Sequence, residues 1–315
     1  MSRHAFAALA VVVCLTTACS TRDVDVAAAM QEPARAAAVE PADAITVGSF
    51  DFAESRIVAE IYARALEASG FPVDRAPGVA AREVLAPALE QGLVDLIPEY
   101  AGTALAFLTG DPSAASADAA VTHERLVDAY AVRNVAVLDG AEAQNQNALV
   151  VRRETAERQG LADISDLSPA AANMVLGGPP ECPSRPLCLL GFRDVYGLRF
   201  ERFVPLDVGG PVTIAALEGG EVDVAVLFSA DRPNISDQMT FLVDDKGLQP
   251  AENITPVLRQ DVLRAYGADL ERRINEVTRR LTTADLADLV RRASVDREDP
   301  ARLADAWLRQ AGLRS

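Results

Sequence analysis

Ile45-Thr-Val-Gly-Ser-Phe-Asp-Phe-Ala-Glu-Ser-Arg-Ile-Val-Ala-Glu-Ile-Tyr62 decides the fold of this 315-residue chain. Ile45 to Ser49 is a short run with β-branched residues and reads as a strand ended at Gly48-Ser49. A polar turn then opens directly onto a helix, because Ile57, Val58, Ile61, Tyr62, Ala65 and Leu66 recur at helical period. Asp51 with Glu54 matches a capping box at the helix start, and Gly70 supplies a stop. In open α/β sheets ligands gather at the carboxyl ends of strands, and N–H groups at a helix start hold anions. The turn at Ser49, Phe50 and Asp51 is therefore a candidate ligand site.

Outward from that stretch, strand and helix signals alternate as parallel βαβ units require. Phe71-Pro-Val-Asp74 reads as a second strand, residues 80–91 as a helix closed by Gly92, and Leu93-Val-Asp-Leu-Ile-Pro98 as a third strand. Glu99-Tyr-Ala-Gly-Thr-Ala-Leu105 turns into another helix and puts Tyr100 and Thr103 at a second strand end. The pattern changes near Asn145. Asn147–Arg152, Met174–Leu176 and Val222–Phe228 read as strands. A helix opens at Ile164, and others cover Phe192–Tyr196 and Val212–Leu217, the last stopped by Gly219-Gly220. Phe228 enters Ser229-Ala-Asp231, a further turn at a strand end. Thr240–Asp245 and Ile254–Arg259 read as connecting strands, and from Asp261 the pattern is helical. This order fits an α/β chain of two lobes, 45–146 with 236–315 and 147–235, whose helical tail returns to the first.

Residues 1–19 read as an export signal. Arg3 and His4 precede the uncharged run Ala5–Leu15, and Leu15-Thr-Thr-Ala-Cys19 matches a lipobox except at Thr16, where Leu is usual. The run is too short to span a bilayer comfortably, so cleavage and acylation of Cys19 are expected, with ordinary secretion as the alternative. One acyl chain holds a protein marginally and several hold it firmly. Residues 20–44 are rich in Ala, Pro and acidic residues without an aromatic, a flexible tether of ~25–30 Å root-mean-square reach. The working part is then a domain of about 270 residues, lipid-anchored on the extracytoplasmic face of a membrane.

Composition narrows the function. A net charge of −16 argues against nucleic acid, which needs clustered Lys and Arg. The acidic balance suits cationic ligands, or solubility alone. The only histidines are His4, which leaves with the signal, and His123 at what reads as an exposed helix start. Their scarcity weakens a Ser-His-Asp triad, a Cys-His pair and a histidine metal site, and no G-x-x-x-x-G-K-[ST] loop occurs. Neither an enzyme nor a cofactor is expected. Cys14 belongs to the signal. Cys182 and Cys188 are the remaining thiols, and export to an oxidising compartment makes a disulfide between them the default, fixing a Pro-rich loop that carries Arg185. A two-cysteine metal site is the weaker alternative.

The opening strand and helix, Ile45–Ser55 with Ile57–Tyr62, resemble those of substrate-binding proteins of osmoprotectant ABC importers, the glycine betaine, choline and carnitine binders. Pro87–Gly92 with Val94–Thr103, Asn145–Leu149, Pro180–Arg185, Tyr196-Gly-Leu198, Ala216–Val224, Asp244-Asp-Lys246 and Asp299–Leu308 continue the likeness in order, over residues 45–312. The resemblance implies a two-lobed periplasmic-binding-protein-like fold of type II, with two crossover strands and a ligand in the interlobe cleft that draws the lobes together. It implies a monomer that hands its solute to an ABC permease and its ATPase. A sensory lipoprotein on the same fold is the alternative.

A quaternary ammonium has no N–H to donate, so aromatic faces must grip it, at roughly 0.5–2 kcal/mol each. A betaine carboxylate wants hydroxyl, N–H or guanidinium donors. The resemblance marks Tyr100 as a cage tyrosine and Phe228 as a second aromatic, with plain core packing as the alternative for both. Thr103 and Arg185 become carboxylate donors, Arg185 alternatively bridging to an acidic neighbour. Ser49, Phe50, Asp51, Gln146, Asn147, Ser229 and Asp231 complete the candidate ligand set. The chain departs from the family where Phe50 replaces Lys, Asn147 replaces a cage tyrosine, and Ile214 stands near another. An incomplete aromatic box predicts weak betaine binding, or a larger or aromatic ligand.

Overall fold

The computed structural model describes residues 44–314 apart from 80, 236 and 295. The export signal, Cys19 and tether residues 20–43 lie outside them. Strands β1 (Ile45–Gly48), β2 (Val73–Ala76), β3 (Leu96–Tyr100), β4 (Val135–Val137) and β10 (Ile254–Arg259) form one sheet, ordered β2-β1-β3-β10-β4. β1 is parallel to β2 and β3, and β10 runs antiparallel between β3 and β4. Every β1 residue is buried, as a strand covered on both faces requires. Gly48 ends it under tight packing, since a Cβ there would stand 2.7 Å from Val94 Cγ1.

Helix α1 (Ala53–Ala68) buries Ile57, Val58, Ile61, Tyr62, Ala65 and Leu66, the face that the periodicity predicts. The expected capping box does not form. Phe52 is the N-cap residue and makes no side-chain cap bond; Asp51 pairs with Arg56, and Glu54 turns inward to Tyr100. Helices α2 (Arg82–Glu90), α3 (Ala101–Thr109) and α4 (Ala119–Ala131) complete this half. His123 on α4 is half-buried rather than exposed, its Nε2 2.8 Å from the Leu138 carbonyl oxygen.

The second sheet holds β5 (Asn147–Arg152), β6 (Val175–Gly178), β7 (Arg202–Pro205), β8 (Val224–Phe228) and β9 (Met239–Phe241), ordered β7-β6-β8-β5-β9. Helices α5 (Arg153–Gln159), α6 (Leu189–Tyr196) and α7 (Pro211–Gly219) accompany it. Two expectations shift here. Ile164 opens a 3₁₀ turn, Ile164–Leu167, rather than an α-helix. The boundary expected at 235 falls short, because β9 pairs antiparallel with β5 as an edge strand.

The chain passes between the sheets twice, through residues 138–146 and 242–253, and the two passages lie side by side. Gln144 and Asn253 form an antiparallel bridge, and the Asn145 N–H donates to the Glu252 carbonyl at 3.1 Å. Helices α8 (Gln260–Tyr266), α9 (Ala268–Thr278), α10 (Thr283–Ser294) and α11 (Pro300–Gln310) then return to the first half. Leu303, Ala304, Trp307 and Leu308 are buried where α11 packs on α1, and the Tyr62 hydroxyl meets Thr278 Oγ1 at 2.9 Å. Among the described residues no helix is long and apolar enough to cross a membrane.

Candidate functional site

A cavity of about 520 Å³ draws its lining from both halves of the molecule. Phe50, Phe52, Tyr100 and Thr103 come from the ends of β1 and β3, where the chain turns into α1 and α3. Asn147, Phe228 and the Pro179–Cys188 loop come from the second half. That loop is closed by a Cys182–Cys188 disulfide.

Four rings meet at the cavity. Phe50 stacks on Phe52 at 6.0 Å between centroids, Phe52 lies 5.8 Å from Tyr100, and Phe52 reaches Phe228 of the other half at 5.7 Å. Phe228 has room because its neighbour is Gly209, whose φ of +64° and bare Cα leave space; a Cβ there would stand 2.7 Å from the ring. The Arg82 guanidinium already sits over one face of Phe50, 5.0 Å from its centroid. Arg82 also holds Glu99 through Nε at 2.9 Å and Nη2 at 2.7 Å, a buried ion pair between α2 and β3. Burial acts to lower the Arg82 pKa, but the Glu99 carboxylate outweighs it and holds the pKa above its ordinary value.

Three further carboxyls are buried around this site. Glu54 accepts from the Tyr100 hydroxyl at 2.7 Å and the Asn145 amide at 2.6 Å. Burial pushes it up to about 8 against the pull of the Tyr100 bond, and the charge of Asp231 adds to the rise. Glu252 accepts from the Thr103 N–H at 3.1 Å and from the Thr103 hydroxyl; burial pushes it up to about 7, resisted by those bonds. Burial also raises Asp231 to about 7, although the Phe228 N–H donates to it. Burial next to Glu54 drives the Tyr100 phenol well above its ordinary value, so it stays a donor.

Of the residues expected from the sequence, Phe50, Asp51, Tyr100, Thr103, Asn147, Arg185 and Phe228 line the cavity. Four do not. Ser49 is buried with its hydroxyl receiving the Gly78 N–H at 2.8 Å. The Gln146 side chain donates to the Pro250 carbonyl at 2.7 Å. Ser229 Oγ receives the Gln146 N–H at 3.0 Å, and Asp231 caps the turn after β8. These four brace the site from behind, because backbone groups nearer than the cavity satisfy them. Arg185 is not a free donor; it is matched to Glu83 at 2.7 Å across the two halves. The cavity also takes Phe52, Phe107, Asn145 and Glu252, which the sequence reading missed. Phe52 was signalled by its place two residues beyond Phe50, whereas Glu252 lies in a segment without periodicity.

Residues 43–310 match the family described as the substrate binding domain of ABC-type glycine betaine transport system, OpuAC. The chain is 27% identical to the glycine betaine-binding protein YehZ of Escherichia coli over 283 residues, covering 87% of this chain and 92% of that protein. It is 26% identical over 287 residues to a glycine-betaine-binding protein of Pseudomonas aeruginosa, covering 88% and 91%. A solved structure of a glycine betaine/carnitine/choline ABC transporter shares the fold, with a TM-score of 0.67 at 22% identity over 85% of this chain and 99% of that one. The two five-stranded sheets, the paired passages between them and the span of the family match lead to one statement: the chain belongs to the OpuAC family of substrate-binding domains and has the type II periplasmic-binding-protein fold.

Proposed function

We propose that this chain captures a small quaternary-ammonium solute outside the cytoplasm and delivers it to an ABC import permease, as a monomer held to its membrane by lipid on Cys19. The observation that carries this reading is the meeting of Phe50, Phe52 and Tyr100 with Phe228 around one cavity. Ring faces attract a cation that has no proton to share, at roughly 0.5–2 kcal/mol per face. Phe52 and Phe228 stand in opposite halves, so a guest gripped by both favours the closed arrangement over an open one. That difference in affinity is what shifts the population a permease senses. We take the moving lobes to be 45–146 with 242–314 and 147–241, hinged on the paired passages.

The volume of about 520 Å³ favours a second reading, a larger or aromatic ligand in place of a small quaternary-ammonium solute, because cavities of this size hold drug-sized molecules. Calorimetry and small-angle scattering with tetramethylammonium, choline, glycine betaine and carnitine separate the two. Saturable heat with a smaller radius of gyration is expected from at least one of them. Silence from all four, with saturation by a neutral aromatic compound, would replace the first reading by the second.

A further inference from the structure

We infer that Glu252 selects a cation whose far end carries a hydrogen-bond donor and rejects one whose far end is a carboxylate. The inference rests on the quaternary-ammonium reading above and deepens it.

Glu252 lies on the second passage between the sheets, is 2% exposed and lines the cavity. Its carboxylate receives the N–H and the hydroxyl of Thr103. A carboxylate has about four acceptor positions, so Glu252 has room for another donor. Thr103 is also one of the two residues, with Arg185, expected to receive the carboxylate of a betaine, and here its place is taken by an internal acid.

The lining arginines, the Tyr100 hydroxyl and the lining amides each already serve an acceptor of their own. Arg82 is matched to Glu99 and Arg185 to Glu83, each through two nitrogens. The Tyr100 hydroxyl and the Asn145 amide serve Glu54. The Asn147 amide donates to the Leu187 carbonyl at 3.2 Å and to Gln249 Oε1 at 3.3 Å. Among the described lining residues no cation is left without a carboxylate of its own. A ligand carboxylate would therefore face Glu252 in a space of low dielectric, where like charges repel strongly. A hydroxyl or N–H in the same place would instead complete the bonding of Glu252.

Choline and glycine betaine test this, because they share a trimethylammonium head and differ in ending on a hydroxyl or a carboxylate. Calorimetry near pH 8 is expected to show choline binding roughly tenfold or more tightly than betaine, the gain of one bond to a charged group. Glu252→Gln keeps the side-chain volume and removes the charge, and is expected to bring the ratio close to one. Betaine binding as tightly as choline, or more tightly, to the unaltered protein overturns the inference and leaves the quaternary-ammonium reading in place. An unchanged ratio in a folded Glu252→Gln overturns it too. If neither compound binds while tetramethylammonium or carnitine does, the inference falls and the quaternary-ammonium reading stands; silence from all four removes both. The ratio in the unaltered protein decides the matter even where the variant does not fold.

Discussion

Tyr100 does two separable things. Its ring joins Phe50 and Phe52 at the cavity, and its hydroxyl supplies a bond to Glu54, which is only 4% exposed. Tyr100→Phe keeps the ring and leaves Glu54 one donor short, a loss of about 1–3 kcal/mol. Calorimetric melting should register that loss while affinity for a trimethylammonium ligand stays within roughly threefold. Tyr100→Ala removes the ring too, and affinity should fall about tenfold or more, since one desolvated cation–π contact contributes ~2 kcal/mol. Equal affinities for the two variants would take the ring out of the site. That Tyr100 and Phe228 line one cavity was legible from the likeness of their motifs to a family. Glu54 was not, because its partners lie 46 and 91 positions along the chain and local spacing pointed to a helix cap instead.

Helix α2 ties the site together at the level of elements. Arg82 bolts it to β3 beneath Phe50, and the adjacent Glu83 reaches across to Arg185 on the disulfide loop. The two ion pairs differ in kind. Glu99→Gln leaves the buried Arg82 charge without its partner, a cost of about 3–5 kcal/mol that denaturant unfolding should show. A loss below about 1 kcal/mol would mean that Arg82 reaches water. The Glu83 side chain is 44% exposed, so Arg185→Ala should cost no more than about 1 kcal/mol of stability. That pair spans the two halves and so forms only when they are close. Its removal should therefore show in stopped-flow release, with dissociation faster by roughly two- to fivefold and association little changed. Elements of this kind were only partly readable. Asn147–Arg152 was legible as a strand because Ala148–Val151 is an uninterrupted apolar run bounded by polar residues. β3 starts at Leu96 rather than Leu93, since Leu93 and Val94 close the turn after α2 by donating to the Ala88 carbonyl. Three-residue β4 is too short to carry a period, and its pairing with β10 alone defines it.

For the molecule as a whole, three buried acids with raised pKa values dominate the pH dependence. Glu54 stands at about 8, Asp231 at about 7 and Glu252 at about 7, each chiefly through burial. In the unfolded chain such groups ionise near 4, so between about pH 4.5 and 8 the folded state holds more protons than the unfolded one. Stability then falls as pH rises through that window, the reverse of a protein whose acids are paired. Around Glu252 the facing charges are Arg82 on α2 and Glu99 on β3, which offset each other, so burial sets the sign. Scanning calorimetry of the unliganded protein should give a melting temperature higher near pH 5.5 than near pH 8, by at least ~2–4 °C, the value of one kcal/mol at this size. A bound cation changes the balance, because it favours the ionised form of a carboxylate it touches. Choline binding near pH 7 should accordingly release protons, and its apparent enthalpy should vary between phosphate and Tris buffers with their heats of ionisation. A melting temperature that rises with pH, together with an enthalpy indifferent to buffer, would mean that these carboxyls are hydrated and that the acid-lined interior described above is wrong.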